Sequence, residues 1–357
     1  MALLSMQGFE GMGEDNTNPA DAVVGRRNMY VSNPEAVYVV DGRYGGKAIR
    51  YTHVGAFVDF YGGPSYAEIG SEATKIWGFS FYNRRFLGWD GTYPFCRWRS
   101  VSPDSDSCEL KIYRNGMLQL LDKSGSVIAK SSRGVIHNDQ WHDLQVKLTY
   151  GASGSCEIKV DDVTVINETG IDTTATGGSS YHGYARVYSF LGNTFYSPFF
   201  DDFWCCDTTG NTNNDFLSTK RILGYLPTGD DTSEWTPSTG NDHYAVVDEN
   251  PPDDSSTYIS SSSGSGDLDL FTHASILSDT SNINGVKVAM DVALASAGSE
   301  NTKQAVESGN TVYYGSNHTI DSTSWGYRNY YWETDPDTGN LWTVNGFNNA
   351  KFGVEMQ

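Results

Sequence analysis

Residues Gly134–Ile166 read GVIHNDQWHDLQVKLTYGASGSCEIKVDDVTVI, and their reading decides the fold. Leu144, Val146 and Leu148 alternate with Gln145 and Lys147, and Cys156, Ile158 and Val160 alternate with Glu157 and Lys159. A repeat of two is the period of a β-strand with one buried face. The Gly151–Gly154 stretch breaks the two runs apart, so they fold back as a hairpin, and Asp161-Asp162 turns the chain again before Val163–Ile166. Trp141, grouped with the apolar residues of the first strand, is expected to anchor the core and His142 to point away from it.

The same pattern continues outward. Ala36–Val40, Ala48–Thr52 and Ala56–Tyr61 are each as long as one strand, and Trp77, Phe79 and Phe81 share one face of WGFSFY. Cys108–Tyr113 and Met117–Leu121 flank Asn115-Gly116, a pair suited to the positive φ angles of a tight hairpin turn. With 38 Gly, 22 Tyr, 16 Phe and 9 Trp and hydrophobic residues in short runs, the chain reads as all-β. At 357 residues it exceeds a typical single core, so two domains are expected. The polar run Asp207–Asp215 suggests a boundary after residue 207. Gly285–Leu294, Asn310–Gly315, Tyr327–Trp332 and Lys351–Glu355 point to a second, smaller β-sandwich, with Asn301–Ser308 the one helical candidate. Asn250–Gly266, rich in Ser, Pro and Asp, reads as a long exposed loop or an arm lying on a neighbour.

In order, GRYGGKAIR, WGFSFY, LKIYRNGMLQLL, NDQWHDLQVKLTY, CEIKVDDVTVI and SPFFDDFWCCD resemble the concanavalin A-like or laminin-G-like jelly roll, over residues 1–207. Gln140 and Asp162 stand where that family often has Gly. The run from DDFWCCDTTG to STYIS and the ending TDPDTGNLWTVNGFNNAKFGVE resemble virion proteins of tailed bacteriophages, over roughly residues 200–357. What the two resemblances imply is a lectin-like jelly roll (1–207) followed by a docking β-sandwich (208–357), in a non-enzymatic structural protein of the capsid (a decoration protein) or the tail. Its expected partners are other virion proteins in a homo-oligomeric array, and its expected place is the virion, assembled in the host cytoplasm. The alternative is a carbohydrate-binding host-recognition protein of a tail fibre or spike, with a host-surface glycan as partner; a glycan-degrading enzyme comes last.

Charge limits the partners. Lys and Arg number 24 against 44 Asp and Glu, and a net charge of −20 repels phosphate backbones and anionic lipid. Nucleic acid is therefore not expected as a partner. No run approaches the ~20 apolar residues of a membrane helix, so no membrane insertion is expected. MALLSMQGFEGMGEDN lacks a basic head and a long apolar stretch, so no export signal is expected. Five cysteines without a CxxC pair suit a reduced compartment.

No nucleophile elbow, Walker loop or Glu-x-Asp-x-Glu strand is present, so no catalytic residue is assigned. Two groups remain as site candidates. Trp89, Tyr93 and Trp98 stand among Arg97 and Arg99, where rings stack on sugars or anchor a partner while guanidinium groups donate in forks. Asp335 and Asp337, in Asp-x-Asp-x-Gly-Asn, resemble the opening of a calcium loop, although the downstream Glu is missing and Pro336 favours a plain turn. No cofactor is expected beyond this calcium. Asp104 with Asp106, Asp161 with Asp162 and Asp201 with Asp202 are open to a metal or a plain solvated turn, and the turn is favoured.

Overall fold

The computed structural model describes residues 2–10, 12, 29–32, 34–51, 56–61, 70–84, 92–101, 104–177, 181–188, 198–262, 266–276 and 282–357. The chain divides into two compact units, Met1–Leu223 and Gly224–Gln357. In both, the regular secondary structure is almost all β-strand.

In the first unit the strands are β1 (Leu3–Gln7), β2 (Met29–Val31), β3 (Val37–Asp41), β4 (Lys47–Tyr51), β5 (Phe57–Tyr61), β6 (Thr74–Asn83), β7 (Thr92–Val101) and β8 (Asp104–Tyr113). They continue with β9 (Leu118–Leu121), β10 (Val127–Lys130), β11 (Gln140–Thr149), β12 (Gly154–Val160), β13 (Val163–Ile171), β14 (Tyr184–Tyr188) and β15 (Phe199–Asp207). Among the described residues they form two antiparallel sheets. One runs β13-β12-β11-β6-β15-β4-β3 with β1 beside β15, and the other β10-β9-β8-β7-β14-β5-β2. Strands distant in sequence are neighbours in both, as in a jelly roll.

Between the sheets lies one apolar core. Phe79 and Phe81 of β6 meet Phe95 of β7 at centroid distances of 5.8 and 4.6 Å, and Phe60 stacks on Phe203 at 4.0 Å. Each such ring withdrawn from water contributes about 1.5–3 kcal/mol. The opening hairpin lies in the first sheet, with Leu144 opposite Val160 and Leu148 opposite Cys156.

Parity corrects one expectation. Leu144, Val146 and Leu148 face the core, so His142, an even number of residues away, faces it too and is fully buried, while Trp141 lies on the outer face. His142 is held there by Asp161, at 2.7 Å from Nδ1, and its Nε2 accepts from the His137 amide at 2.9 Å.

Both turns follow from side chains. Asp161 and Asp162 sit at φ 50° and 64°, closing the two-residue turn between Val160 and Val163. That left-handed backbone costs about 1–2 kcal/mol per residue. Bonds from the Asp143 amide to Asp161 and from Gln145 to Asp162 offset it. At Arg114-Asn115-Gly116 Gly116 alone has positive φ, at 72°, so the loop is a three-residue turn rather than the paired form expected from Asn-Gly. A Cβ on Gly116 would lie 2.2 Å from the Ile136 carbonyl oxygen.

The boundary falls 16 residues later than expected because the polar run is followed by apolar residues that dock. Phe216 and Leu217 cover Ile76, Trp204 and Cys206 on the outer face of the first sheet. Trp204 in turn lies against Gly78, where a Cβ would come within 2.1 Å of its indole. Asp215 pairs with Lys147 at 3.0 Å, and the Ile222 amide donates to Asp202 at 2.7 Å. Residues 208–223 are thus a strap of the first unit and not a linker.

The second unit begins with β16 (Pro227–Ser233), β17 (Thr236–Pro237), β18 (Ile259–Ser260), β19 (Leu268–His273) and β20 (Val286–Val292). It ends with β21 (Glu300–Ser308), β22 (Thr311–Tyr314), β23 (His318–Ile320), β24 (Gly326–Trp332) and β25 (Lys351–Met356), and a short helix, Val344–Asn349, precedes β25. One sheet, β16-β19-β25-β21-β22 with β23 beside β21, is faced by the β20-β24 ribbon. Val286, Val306, Trp332, Trp342 and Phe347 fill the space between. The helical candidate Asn301–Ser308 is strand, since Ala305 to Glu307 lie between β22 and β25. All five cysteines are buried and free. No helix among the described residues is long and apolar enough to cross a membrane.

Candidate functional site

The outer face of the second sheet carries the site. Strand alternation decides what reaches it: in β14 Ala185 and Val187 face the core, so Tyr184, Arg186 and Tyr188 face out. In β7 Cys96 and Trp98 face in, and Arg97 and Arg99 out. In β5 Val58 and Phe60 face in, and Phe57, Asp59 and Tyr61 out.

Antiparallel register then lines these side chains up across strands. Asp59 is opposite Arg186, Arg186 opposite Arg97, and Arg97 opposite Glu109. Lys111 is opposite Gln119 on β9. The row is tied by charge-assisted bonds. Arg186 holds Asp59 in a two-pronged contact of 2.6 and 2.8 Å. Arg97 donates to Glu109 at 2.9 and 3.0 Å and to Asp106 at 3.0 Å, and Arg99 approaches Asp106 at 2.7 Å and Asp104 at 3.3 Å. Lys111 reaches the other Glu109 oxygen at 3.3 Å.

Beside the charged row runs an aromatic one. Tyr30, half exposed, stands 6.1 Å from Phe57, and Phe57 stands 6.0 Å from Tyr188. The guanidinium of Arg186 lies 3.6 Å above the Phe57 ring, and that of Arg97 lies 5.0 Å above Tyr188. Rings and guanidinium groups therefore hold each other in fixed orientations.

Partial burial tunes the charges. Burial works against ionisation of Arg186, but the bond to Asp59 and its charge outweigh it, so the guanidinium pKa is raised. Burial raises the Asp59 carboxyl, and Arg186 offsets only part of that. Arg97 is raised because Tyr188, Glu109 and Asp106 together outweigh its burial. Burial also pushes the Tyr188 and Tyr184 phenols up, and Tyr184 donates to Asp104, which adds to its shift. The face is thus a largely buried array of paired guanidinium and carboxylate groups edged by phenols.

Against the sequence candidates the outcome is mixed. Arg97 and Arg99 are brought together on this face. Trp98 is not: it is completely buried in the core and can touch neither glycan nor partner. Its neighbours of opposite parity, not Trp98 itself, reach the surface. Trp89 lies outside the described residues, and Tyr93 falls on β7, though nothing of its side chain is described. Asp104 and Asp106 are paired strand residues of β8 rather than turn residues.

Asp201 and Asp202 are likewise not in a turn. They form a bulge in β15, with Asp202 at φ 52°, that sends both carboxylates to the outer face of the first sheet. Under the strap burial raises both carboxyls, and the neighbouring Asp202 and Glu10 charges raise Asp201 further. Burial raises Glu10 to about 8 and Asp143 to about 7 in the same cluster.

Asp335 and Asp337 make a turn and not a calcium loop. Asp335 is buried and accepts from Ser308 Oγ at 2.6 Å and the Asp337 amide at 3.1 Å. Asp337 accepts from the Tyr313 hydroxyl at 3.2 Å. No three His, Cys, Asp or Glu side chains among the described residues are grouped to hold a metal. Both carboxylates have protein donors where an ion would need free oxygen.

Arg186, Asp59, Tyr188 and Phe57 were absent from the sequence candidates. Alternation in FVDFY and YARVY places them on one face of their strands, but only register shows that those faces adjoin.

No protein-family model matches the chain, and no curated protein matches it. Solved structures of similar fold include the endo-β-1,4-glucuronan lyase of the fungus Trichoderma reesei, 14% identical, TM-score 0.36, covering 48% of this chain and 86% of that one. They include the alginate lyase Aly36B, 12% identical, TM-score 0.38, covering 57% and 97%. A third is Trypanosoma rangeli sialidase, 10% identical, TM-score 0.33, covering 48% and 26%. At these identities the likeness is one of β-sandwich fold. A non-enzymatic virion structural protein was expected, and this is corrected: the three solved structures of similar fold are glycan lyases and a sialidase, not virion proteins.

Proposed function

We propose that the first unit binds carbohydrate on the outer face of its second sheet. The observation that carries this reading is the pair of parallel rows, Tyr30-Phe57-Tyr188 and Asp59-Arg186-Arg97-Glu109. Apolar ring faces match the C–H faces of a pyranose, and the forked charges beside them offer donors and acceptors to its hydroxyls. The rows cross the strands, so a linear glycan lies across β2, β5, β14, β7 and β8.

Calorimetric titration of the purified full chain with a panel of oligosaccharides tests the reading. Tyr188→Ala, which removes a ring from the row and leaves Arg97 with Asp106 and Glu109, is expected to weaken binding about tenfold, the magnitude of one stacking contact. Absence of binding to every glycan, or unchanged binding by Tyr188→Ala, would sink it. The same mixtures, assayed for new reducing or unsaturated ends, show whether a bound glycan is also cut.

A further inference from the structure

Resting on the reading of this face as a glycan site, we infer that it selects neutral, hydroxyl-rich chains and rejects polyuronates. Every cation of the row already has a protein carboxylate. Arg97 is shared between Asp106 and Glu109, and Arg99 between Asp104 and Asp106. Lys111 is held by Glu109, and Arg186 by both oxygens of Asp59. Four positive charges thus meet four negative ones, and the row has no net charge.

A uronate carboxylate binds guanidinium through the two-pronged contact that Asp59 already makes with Arg186. To enter, it would have to displace a carboxylate fixed on a strand, buried beside its partner, and leave that charge unpaired. It would do so on a protein whose net charge of −20 repels polyanions at a distance. A neutral hydroxyl faces neither cost. It donates to a carboxylate oxygen and accepts from the N–H beside it, and adjacent donor and acceptor groups about 3 Å apart suit a vicinal diol.

Asp106 and Glu109 set the selectivity, because both lean on Arg97 and both are partly exposed: Asp106 has a side-chain exposure of 36% and Glu109 of 13%. Replacing them with amides of the same shape removes two negative charges and leaves Arg97 open to an anion. Asp59, more deeply buried, is the less suitable place for the change.

The experiment measures binding of the full chain to neutral β-glucan, mannan and galactan oligosaccharides and to oligomers of alginate and polyglucuronate, at low and at high salt. Expected is neutral-chain binding that changes less than about twofold with salt and uronate binding at least about tenfold weaker. The Asp106→Asn, Glu109→Gln double variant is expected to gain salt-sensitive uronate binding of about tenfold or more. A parent protein that binds uronates better than neutral chains, with affinity falling as salt rises, overturns the inference while leaving the site in place. A double variant that folds, judged by an unchanged unfolding transition, yet gains no uronate binding also overturns it. Failure of the site itself is a separate result: no glycan of either class binds, and Tyr188→Ala changes nothing.

Discussion

Glu10→Gln should make the first unit more resistant to alkaline conditions. Glu10 reaches under the strap of residues 208–223. A Cβ on Gly46 would lie 2.5 Å from one of its oxygens, and a Cβ on Gly8 2.6 Å from the other and 2.7 Å from Ile222. Burial is the main reason its carboxyl rises from 4.5 to about 8, and the Asp202 charge adds to it while a backbone bond and Arg221 oppose it. A raised carboxyl contributes stability that is present below its unfolded pKa and lost as pH climbs through the folded one. At ~1.4 kcal/mol per pH unit, about 5 kcal/mol is at stake over the full window, and about 3 kcal/mol is gone by neutral pH. Gln keeps the shape and cannot ionise. The assay is urea unfolding of the full chain, parent and variant, from about pH 5 to about pH 8, following the transition of the first unit. Titrating groups remote from Glu10 cancel in the difference between the two proteins, and loss of its charge also eases the ionisation of Asp201. The variant is expected to match the parent near pH 5 and to gain on the order of 3 kcal/mol by pH 8. A difference that stays flat with pH would refute the argument, because it would mean that the carboxyl is solvated and ionised in the folded protein.

Trp98→Ala should cost about 3–5 kcal/mol in urea unfolding, as a large ring lost from a closed core does; a loss of under 1 kcal/mol would place Trp98 at the surface. Gly78→Ala should destabilise by about 1–3 kcal/mol because the new methyl meets the Trp204 indole, and an unchanged midpoint would show that the strap gives way freely. A fragment ending at residue 207 should aggregate where one ending at 223 stays monomeric in size-exclusion chromatography, since the shorter one bares Ile76, Trp204 and Cys206. Calcium or a chelator should shift the unfolding temperature of the second unit by less than about 1 °C, and a larger stabilisation would restore Asp335 and Asp337 as ligands.

What the residues determine by themselves is local. Alternation in QVKLTY and CEIKV requires two strands, and Gly and Asp at the breaks require that they turn back; no partner is needed to read this. Alternation also fixes that Arg97 and Arg99 share a face and that Trp98 lies opposite them. It does not say which face is buried, and reading Trp98 as exposed chose the wrong one. The same ambiguity misplaced Trp141 and His142, because a large ring suggests a core while a short, fully bonded imidazole fills one equally well. The strap escaped notice for a related reason: Phe216 and Leu217 carry no period, and their burial exists only because the β15 bulge and Gly78 shape the surface beneath them.

Tertiary structure alone decided the site. Asp59 and Arg186 are 127 residues apart, and Phe57 and Tyr188 further still. Each belongs to a short strand whose pattern is satisfied by any neighbour of suitable polarity. Period-two alternation assigns a side chain to a face, whereas pairing of distant strands assigns that face its neighbours, and binding chemistry depends on the neighbours.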